Sequence, residues 1–164
     1  MIAVVIDAFD FGRLKEQREG GVLVSDLPRL VKECVDSEGS LHWNLRGGTH
    51  ESGHPQLDLR VTGSVNLVCQ RCLRPFSFAI ESASILVLAH DEAQADQIEA
   101  MLEEDTDVIV GSKNLDMADL IEDEALLAIP QAPKHVQCPG RIDTANEIIV
   151  SKASPFDVLK NMKH

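Results

Sequence analysis

Apolar and polar residues alternate most regularly in the middle of the chain. Every second residue is apolar over residues 41–45, again over 57–69 with a break at Gly63, and again over 76–80. A period of two residues predicts half-buried β-strands, and a glycine inside such a run indicates a bend or a bulge. We therefore predict three consecutive antiparallel strands with one polar face, either open or curled towards a barrel.

A helical period is clearest over residues 116–128, where apolar side chains recur at intervals of three and four residues. Asp116 precedes this stripe and can accept hydrogen bonds from the first amides of the helix. Glu124 interrupts the stripe, and a carboxylate that faces a core needs a cation or a hydrogen-bond donor. By contrast, Glu122 and Asp123 are expected to face water. Weaker helical patterns cover residues 12–19, 25–34 and 91–104.

Short, largely β-branched runs at residues 2–6 and 108–110 predict two further strands. Together these elements predict an α+β fold, with an antiparallel sheet or partial β-barrel packed by two or three helices. A chain of 164 residues is long enough to bury one core. We expect a single α+β domain over residues 1–140.

Residues 141–164 are predicted to form an extended tail that ends in a short amphipathic helix. Ser154 and Pro155 would begin this helix, as N-cap and first helical residue. Two turns of helix are not stable alone in water, so the helix should dock on its own domain or on a partner. The contact residues predicted for it share one side: Phe156, Leu159 and Met162.

The chain is acidic, with 27 Asp and Glu against 15 Lys and Arg and a net charge of −12. Thirteen of the acids lie in residues 91–126, here called the acidic segment, beside a single base, Lys113. Such a run is usually a solvated face, and it also suits a basic protein as partner. The net charge argues against strong, sequence-independent binding of nucleic acid by the whole protein. Weak, direct contact with RNA is expected only at basic positions such as Arg46, Arg60, Arg71 and Arg74.

No apolar run approaches the roughly 20 residues of a membrane span, and the N-terminal residues lack the pattern of a signal peptide. We therefore expect a cytoplasmic protein without a membrane-spanning segment. In a reducing compartment, cysteines are expected as thiols or metal ligands rather than as disulfides.

Two pairs of candidate metal ligands share the same spacing. Cys69 and Cys72 lie on the turn between two predicted strands, and His135 and Cys138 follow the prolines after the last long helix. Three thiolates and one imidazole form a regular closed zinc shell. Because 63 positions separate Cys72 from His135, the fold itself must bring the pairs together. Two interpretations stay open: a zinc site, or two partly buried thiols beside an unrelated histidine.

An enzymatic alternative is that Cys69 and Cys72 form the dithiol of a thiol oxidoreductase. Such dithiols usually lie at the start of a helix, which lowers the pKa of the first thiol. Here Pro75 and an alternating strand follow instead. The sequence contains no phosphate-binding glycine loop, no recognisable Ser/His/Asp set and no paired-carboxylate motif, so none of its motifs names a reaction.

Arg71 lies between the two cysteines of the turn and is a candidate partner for Glu124. We predict a buried ion pair between Glu124 and Arg71, with Arg74 or Arg60 as alternative partners, that joins the helix to the hairpin. In the competing interpretation, the long side chain of Glu124 reaches solvent at the edge of the apolar stripe.

Four motifs follow one another along the chain: Cys69-Gln-Arg-Cys72-Leu-Arg-Pro-Phe76, Asp116 with Ile121-Glu-Asp-Glu124 and Leu126-Leu-Ala-Ile-Pro130, Pro133-x-His135-x-x-Cys138, and Pro155-Phe-x-x-Leu159. Together they resemble the YceD family, the large ribosomal RNA subunit accumulation proteins of bacteria and plastids. The resemblance implies a role in the synthesis, processing or stability of 23S rRNA, with no established enzymatic activity. It also implies partners among the components of large-subunit assembly, such as a basic protein. Many relatives carry a further cysteine-rich segment, whereas this chain has no cysteine after Cys138.

Overall fold

The computed structural model of the protein describes residues 5–102 and 106–140. The tail predicted over residues 141–164 lies outside these ranges, together with its predicted contact residues Phe156, Leu159 and Met162. Most of the strand predicted over residues 2–6 also lies outside them.

The described residues form an α+β fold with seven strands, four α-helices and one short 3-10 helix. In chain order these are β1 (Val5–Ile6), α1 (Ala8–Arg13), β2 (Gln17–Leu23), the 3-10 helix (Val24–Asp26), α2 (Pro28–Glu33), β3 (Ser40–Thr49), β4 (Pro55–Val68), β5 (Pro75–Ala89), α3 (Glu92–Glu99), β6 (Asp107–Val110), β7 (Leu115–Asp116) and α4 (Met117–Ala128).

The main sheet has five strands in the order β2-β3-β4-β5-β6. Strands β2 to β5 are consecutive and antiparallel, which confirms the predicted meander and adds β2 to its edge. Strand β6 runs parallel to β5, because the chain returns through α3 before it joins the sheet. The sheet is therefore mixed rather than purely antiparallel. Strands β1 and β7 form a separate antiparallel pair, and the described strands form no closed barrel.

One face of the sheet carries the core. Alternate residues of β3 and β4, such as Trp43 and Leu59, are buried there against α1 and α4. At the end of β5 both faces are covered, because α3 packs on Val87 and Ala89 from the opposite side. This double burial explains the uninterrupted apolar run at the end of the strand.

The charged segment over residues 12–19, predicted as a weak helix, is instead divided between two elements. Helix α1 begins earlier, after Asp7, whose carboxylate accepts hydrogen bonds from the amides of Phe9 and Asp10 at 3.0 and 3.1 Å. Lys15 adopts a positive φ of 52° beyond the end of this helix. Strand β2 then pairs with β3, and this pairing overrides local preference in a segment that has no apolar helical stripe.

Strand β4 contains Gly63 without the predicted bulge, since pairing continues through it to β3 and to β5. A Cβ atom built at Gly63 would lie 2.5 Å from the carbonyl oxygen of Ser40. The glycine therefore allows close contact between neighbouring strands and leaves β4 continuous up to the turn that carries the first two cysteines.

Candidate metal centre

The turn between β4 and β5, here called the hairpin tip (residues 69–74), is held by two backbone hydrogen bonds. The amide of Cys69 donates to the carbonyl of Arg74 at 3.0 Å, and the amide of Leu73 donates to the carbonyl of Cys69 at 2.8 Å. Leu73 has a positive φ of 58°. This tight turn brings Cys69 and Cys72 to the same end of the sheet.

A second loop, residues 129–140, leads from the end of α4 back to the hairpin tip. Pro130 cannot continue the helix, because proline supplies no amide donor and its ring clashes with the preceding turn. The amide of Gln70 donates to the carbonyl of Pro133 at 2.8 Å, and the guanidinium of Arg74 donates to the carbonyl of Pro139 at 3.3 Å. These contacts fix the position of His135 and Cys138.

The predicted ligand residues Cys69, Cys72, His135 and Cys138, here called the thiol–imidazole cluster, lie together in the structure. Their ligand atoms are all within 4.8 Å of one another. The Sγ atoms of Cys69 and Cys138 are 3.8 Å apart, and Cys72 Sγ lies 3.4 Å from His135 Nδ1. The fold thus closes the 63-residue separation between the two pairs.

These distances fit a tetrahedral zinc shell. With bonds of about 2.3 Å to sulfur and about 2.0 Å to nitrogen, tetrahedral angles give edges of about 3.8 Å between sulfurs and about 3.5 Å between sulfur and nitrogen. The observed separations of 3.8 and 3.4 Å agree with those edges. All four cysteines of the chain are free thiols, so no disulfide competes for the sulfurs. The cluster could hold a metal ion.

Backbone amides surround the buried sulfur of Cys69. The amides of Arg71 and His135 each donate to this sulfur at 3.4 Å. The ring of Phe76 lies against the His135 imidazole, with centroids 4.8 Å apart. Such contacts orient the ligands and stabilise a thiolate, as the surroundings of protein metal sites commonly do.

Two thiols of the cluster have pKa values that are shifted in opposite directions. Burial opposes ionisation of Cys69, but amides of His135, Cys72 and Arg71 donate to its sulfur and lower its pKa from 9.0 to about 5. Burial raises the pKa of Cys138, and the adjacent thiols of Cys72 and Cys69 raise it further. Neighbouring thiolates repel one another, so a bound cation would favour the ionised form of all of them.

The predicted ion pair between Glu124 and Arg71 is wrong. The Glu124 carboxylate is buried, as predicted, but it accepts hydrogen bonds from the hydroxyls of Ser82 and Ser84, the latter at 2.9 Å. Arg71 is exposed at the hairpin tip, beyond the end of β4, whereas α4 crosses β5 near its middle. The signal that sequence reasoning missed was the two serines, which occupy apolar positions in the alternation of β5.

Glu122 is buried rather than facing water, again contrary to prediction. Its carboxylate accepts hydrogen bonds from the amides of Arg29 and Leu30 and from Arg29 Nε, the last two at 2.9 and 2.7 Å. Helix α2 has no capping side chain of its own, so Glu122 supplies that function from α4. Burial opposes ionisation of Glu122, but the Leu30 amide and Arg29 outweigh it and lower its pKa.

The four arginines predicted for RNA contact do not form one surface. Arg46 and Arg60 are exposed on the uncovered face of the sheet, in a cleft that the acidic residues Glu19 and Asp58 also line. Arg71 and Arg74 belong to the hairpin tip, and Arg60 lies about 27 Å from that end of β4 at the usual rise of a strand. Of the four arginines, only Arg71 and Arg74 adjoin the thiol–imidazole cluster.

Comparison with known proteins adds one match. Residues 57–163 match the model of the family described as large ribosomal RNA subunit accumulation protein YceD. The matched range contains the hairpin tip, α4 and the loop that carries His135 and Cys138. No solved structure matches the chain. The longest described helix, α4, has 12 residues, and none in residues 5–102 and 106–140 could span a bilayer.

Proposed function

The chain belongs to the YceD family of large ribosomal RNA subunit accumulation proteins, and from this membership we propose that it is a cytoplasmic, non-enzymatic ribosome-assembly factor. It acts in the synthesis, processing or stability of 23S rRNA. The observation that carries the proposal is the family match, which includes both segments that converge on the thiol–imidazole cluster.

The cluster holds one zinc ion in this proposal, with Cys69, Cys72, His135 and Cys138 as ligands. Four protein ligands complete the shell and leave no open position for substrate or water, so the zinc supplies structure rather than catalysis. Its structural effect follows from the position of the ligands. Two lie on the hairpin tip and two on the loop after α4, and one ion cross-links these segments.

The acidic segment is the surface for a basic protein of the large subunit. Several of its described carboxylates are exposed, including Asp96 and Glu99 on α3 and Asp119 and Asp123 on α4. Glu122 and Glu124 are buried and do not belong to this surface. Opposite charge favours rapid encounter with a basic partner and makes association sensitive to salt.

Loss of the protein tests this function. Cells that lack it should contain less 23S rRNA relative to 16S rRNA, and the tagged full-length chain should sediment with large-subunit precursors. The Cys138→Ser variant should restore 23S rRNA poorly, and the matched Cys34→Ser variant, whose thiol lies outside the cluster, should restore it fully. An unchanged 23S to 16S ratio in cells without the protein would refute the proposed role.

The thiol oxidoreductase alternative predicts a different behaviour of Cys69 and Cys72. An oxidoreductase would cycle these thiols through a disulfide and would work without metal. The side chain of Cys69 is buried, and a strand rather than a helix follows the hairpin tip. Titration of accessible thiols beside elemental analysis separates the two, since a zinc site should protect its thiols until a chelator is added.

A further inference from the structure

Leu73 combines two unusual properties at the hairpin tip. Its φ of 58° lies in the left-handed region, which glycine adopts freely and which is strained for a residue with a branched side chain. Its side chain is also 74% exposed, so packing does not compensate for this strain. A glycine would suit the turn better, and a strained residue of this kind points to use of its side chain.

A second aliphatic side chain projects from the other ligand loop. Val136, between His135 and Cys138, is 98% exposed. Each of these apolar residues directly follows a member of the thiol–imidazole cluster, Cys72 or His135, and those two members are 3.4 Å apart at their ligand atoms. The fold therefore brings the two loops that carry these exposed aliphatic groups together at one end of the sheet.

Two basic residues flank the same ligands in the sequence. Arg71 and Lys134 are exposed next to the same ligands, and no described side chain is paired with either. None of the 27 acids of the chain lies in residues 59–80 or 125–140, which include both ligand segments. Lys32 and Glu33 of α2 line a cleft with Gln70 and Pro133 and offset one another's charge. In a protein of net charge −12, the tip is thus a locally basic pole.

We propose that this pole, formed by Arg71, Leu73, Lys134 and Val136, is a docking surface for unpaired RNA. The two cations bind phosphates, and the two aliphatic groups pack on the faces of unstacked bases. Unpaired RNA fits better than duplex RNA, because the bases of a duplex are stacked and their faces are covered. The inference rests on the proposed role in 23S rRNA accumulation and names the kind of RNA that the metal-binding end would contact.

The charge distribution favours RNA over a basic protein at this surface. A basic ribosomal protein would be repelled by Arg71 and Lys134 and attracted to the acidic segment. The proposal therefore gives the molecule two surfaces of opposite charge, one for each component of an assembling subunit. The thiol–imidazole cluster sets the spacing of the four contact residues, because each lies next to a ligand in sequence.

The test is binding of a labelled single-stranded RNA of about 16 nucleotides to the zinc-loaded full chain, beside the same sequence as a duplex. The key variant is Leu73→Gly, which removes the side chain and also relieves the positive φ. We expect it to weaken binding of the single strand at least fivefold while zinc content is unchanged and the melting temperature is equal or higher. Arg71→Gln and Lys134→Gln should each lower the salt slope of binding by about 1.

Matched controls lie elsewhere on the surface. Leu127→Ala replaces an aliphatic residue of α4 that is 80% exposed, and Arg13→Gln removes an exposed cation of α1. Both should bind the single strand as the unmodified chain does. Equal affinity of Leu73→Gly and the unmodified chain, or equal affinity for single strand and duplex, would overturn the proposal. Binding of a polyglutamate peptide that Leu73→Gly abolishes, with RNA binding unaffected, would assign the surface to an acidic protein instead.

Failure of this inference can be told from failure of the proposed function. If cells without the protein keep a normal 23S to 16S ratio, the proposed function fails whatever RNA the tip binds in solution. If those cells lose 23S rRNA and the Leu73→Gly variant restores it as well as the unmodified chain, the docking surface alone is refuted.

Discussion

At the scale of single residues, the two buried carboxylates of α4 have different hydrogen-bond donors. Glu122 and Glu124 are two positions apart on α4 and both are buried, yet they are satisfied differently. Glu122 accepts backbone amides and a guanidinium, whereas Glu124 accepts two serine hydroxyls. The energetic roles of the two carboxylates should differ accordingly.

Replacement of Glu122 by alanine should destabilise the domain by about 2 to 4 kcal/mol, because it leaves the amides at the start of α2 without acceptors. Glu124→Gln should cost roughly 1 kcal/mol or less, since an amide can still bond the hydroxyls of Ser82 and Ser84. Urea unfolding measures both. A larger loss for Glu124→Gln than for Glu122→Ala would contradict the observed hydrogen bonds.

Acid should remove the contribution of Glu122 in a defined range of pH. Its pKa in the folded state lies below the ordinary value of 4.5, so its stabilising effect is complete above that value and is lost as pH falls through the lower one. The difference in unfolding free energy between the unmodified chain and Glu122→Gln should thus be constant from about pH 7 to 5 and shrink below about 4.5. A difference that grows on acidification would show that the pKa is raised instead.

Sequence reasoning identified the four residues that the fold brings together at the candidate metal centre but chose the wrong partner for Glu124. Thiols and imidazoles have few uses in common, so a matched spacing in two segments is informative even across 63 positions. A buried carboxylate, in contrast, can accept from a guanidinium, an amide or a hydroxyl. Which donor is near depends on where α4 crosses the sheet, and periodicity does not contain that information.

At the scale of elements, the hairpin of β4 and β5 was the most predictable part of the fold, because its alternation is long and one face packs on the core. Strand β2 was missed, since an edge strand of charged residues and two glycines has little local signal. The parallel position of β6 was missed for a related reason. A four-residue strand does not reveal its direction until the crossover through α3 is known.

Removal of zinc should free the loop after α4 from the hairpin tip. The amide of Gln70 donates to Pro133, and this contact joins two segments that the ion would cross-link. We expect hydrogen exchange at Gln70 to accelerate about tenfold or more after treatment with a chelator. The amide of Val61, inside β4, serves as the control and should exchange at its original rate. Unchanged exchange at Gln70 would show that the backbone contacts hold the loop without metal.

At the scale of the whole molecule, charge is separated along the chain. Carboxylates are concentrated in the acidic segment, while the ligand segments 59–80 and 125–140 contain none. The acidic segment was predictable from composition, because a charge run needs no fold to be recognised. The basic pole was not, since its residues come from two segments that only the fold brings together.

In the proposed centre, one zinc ion joins the hairpin tip to the loop after α4. The measurement that checks this cross-link is the zinc content of the full-length chain, purified without added metal or chelator, beside Cys138→Ser and the matched Cys34→Ser. We expect about one zinc per chain in the unmodified protein and in Cys34→Ser, and a large loss in Cys138→Ser. A chain purified without zinc, or a Cys138→Ser variant that keeps as much zinc as the unmodified protein, would contradict it.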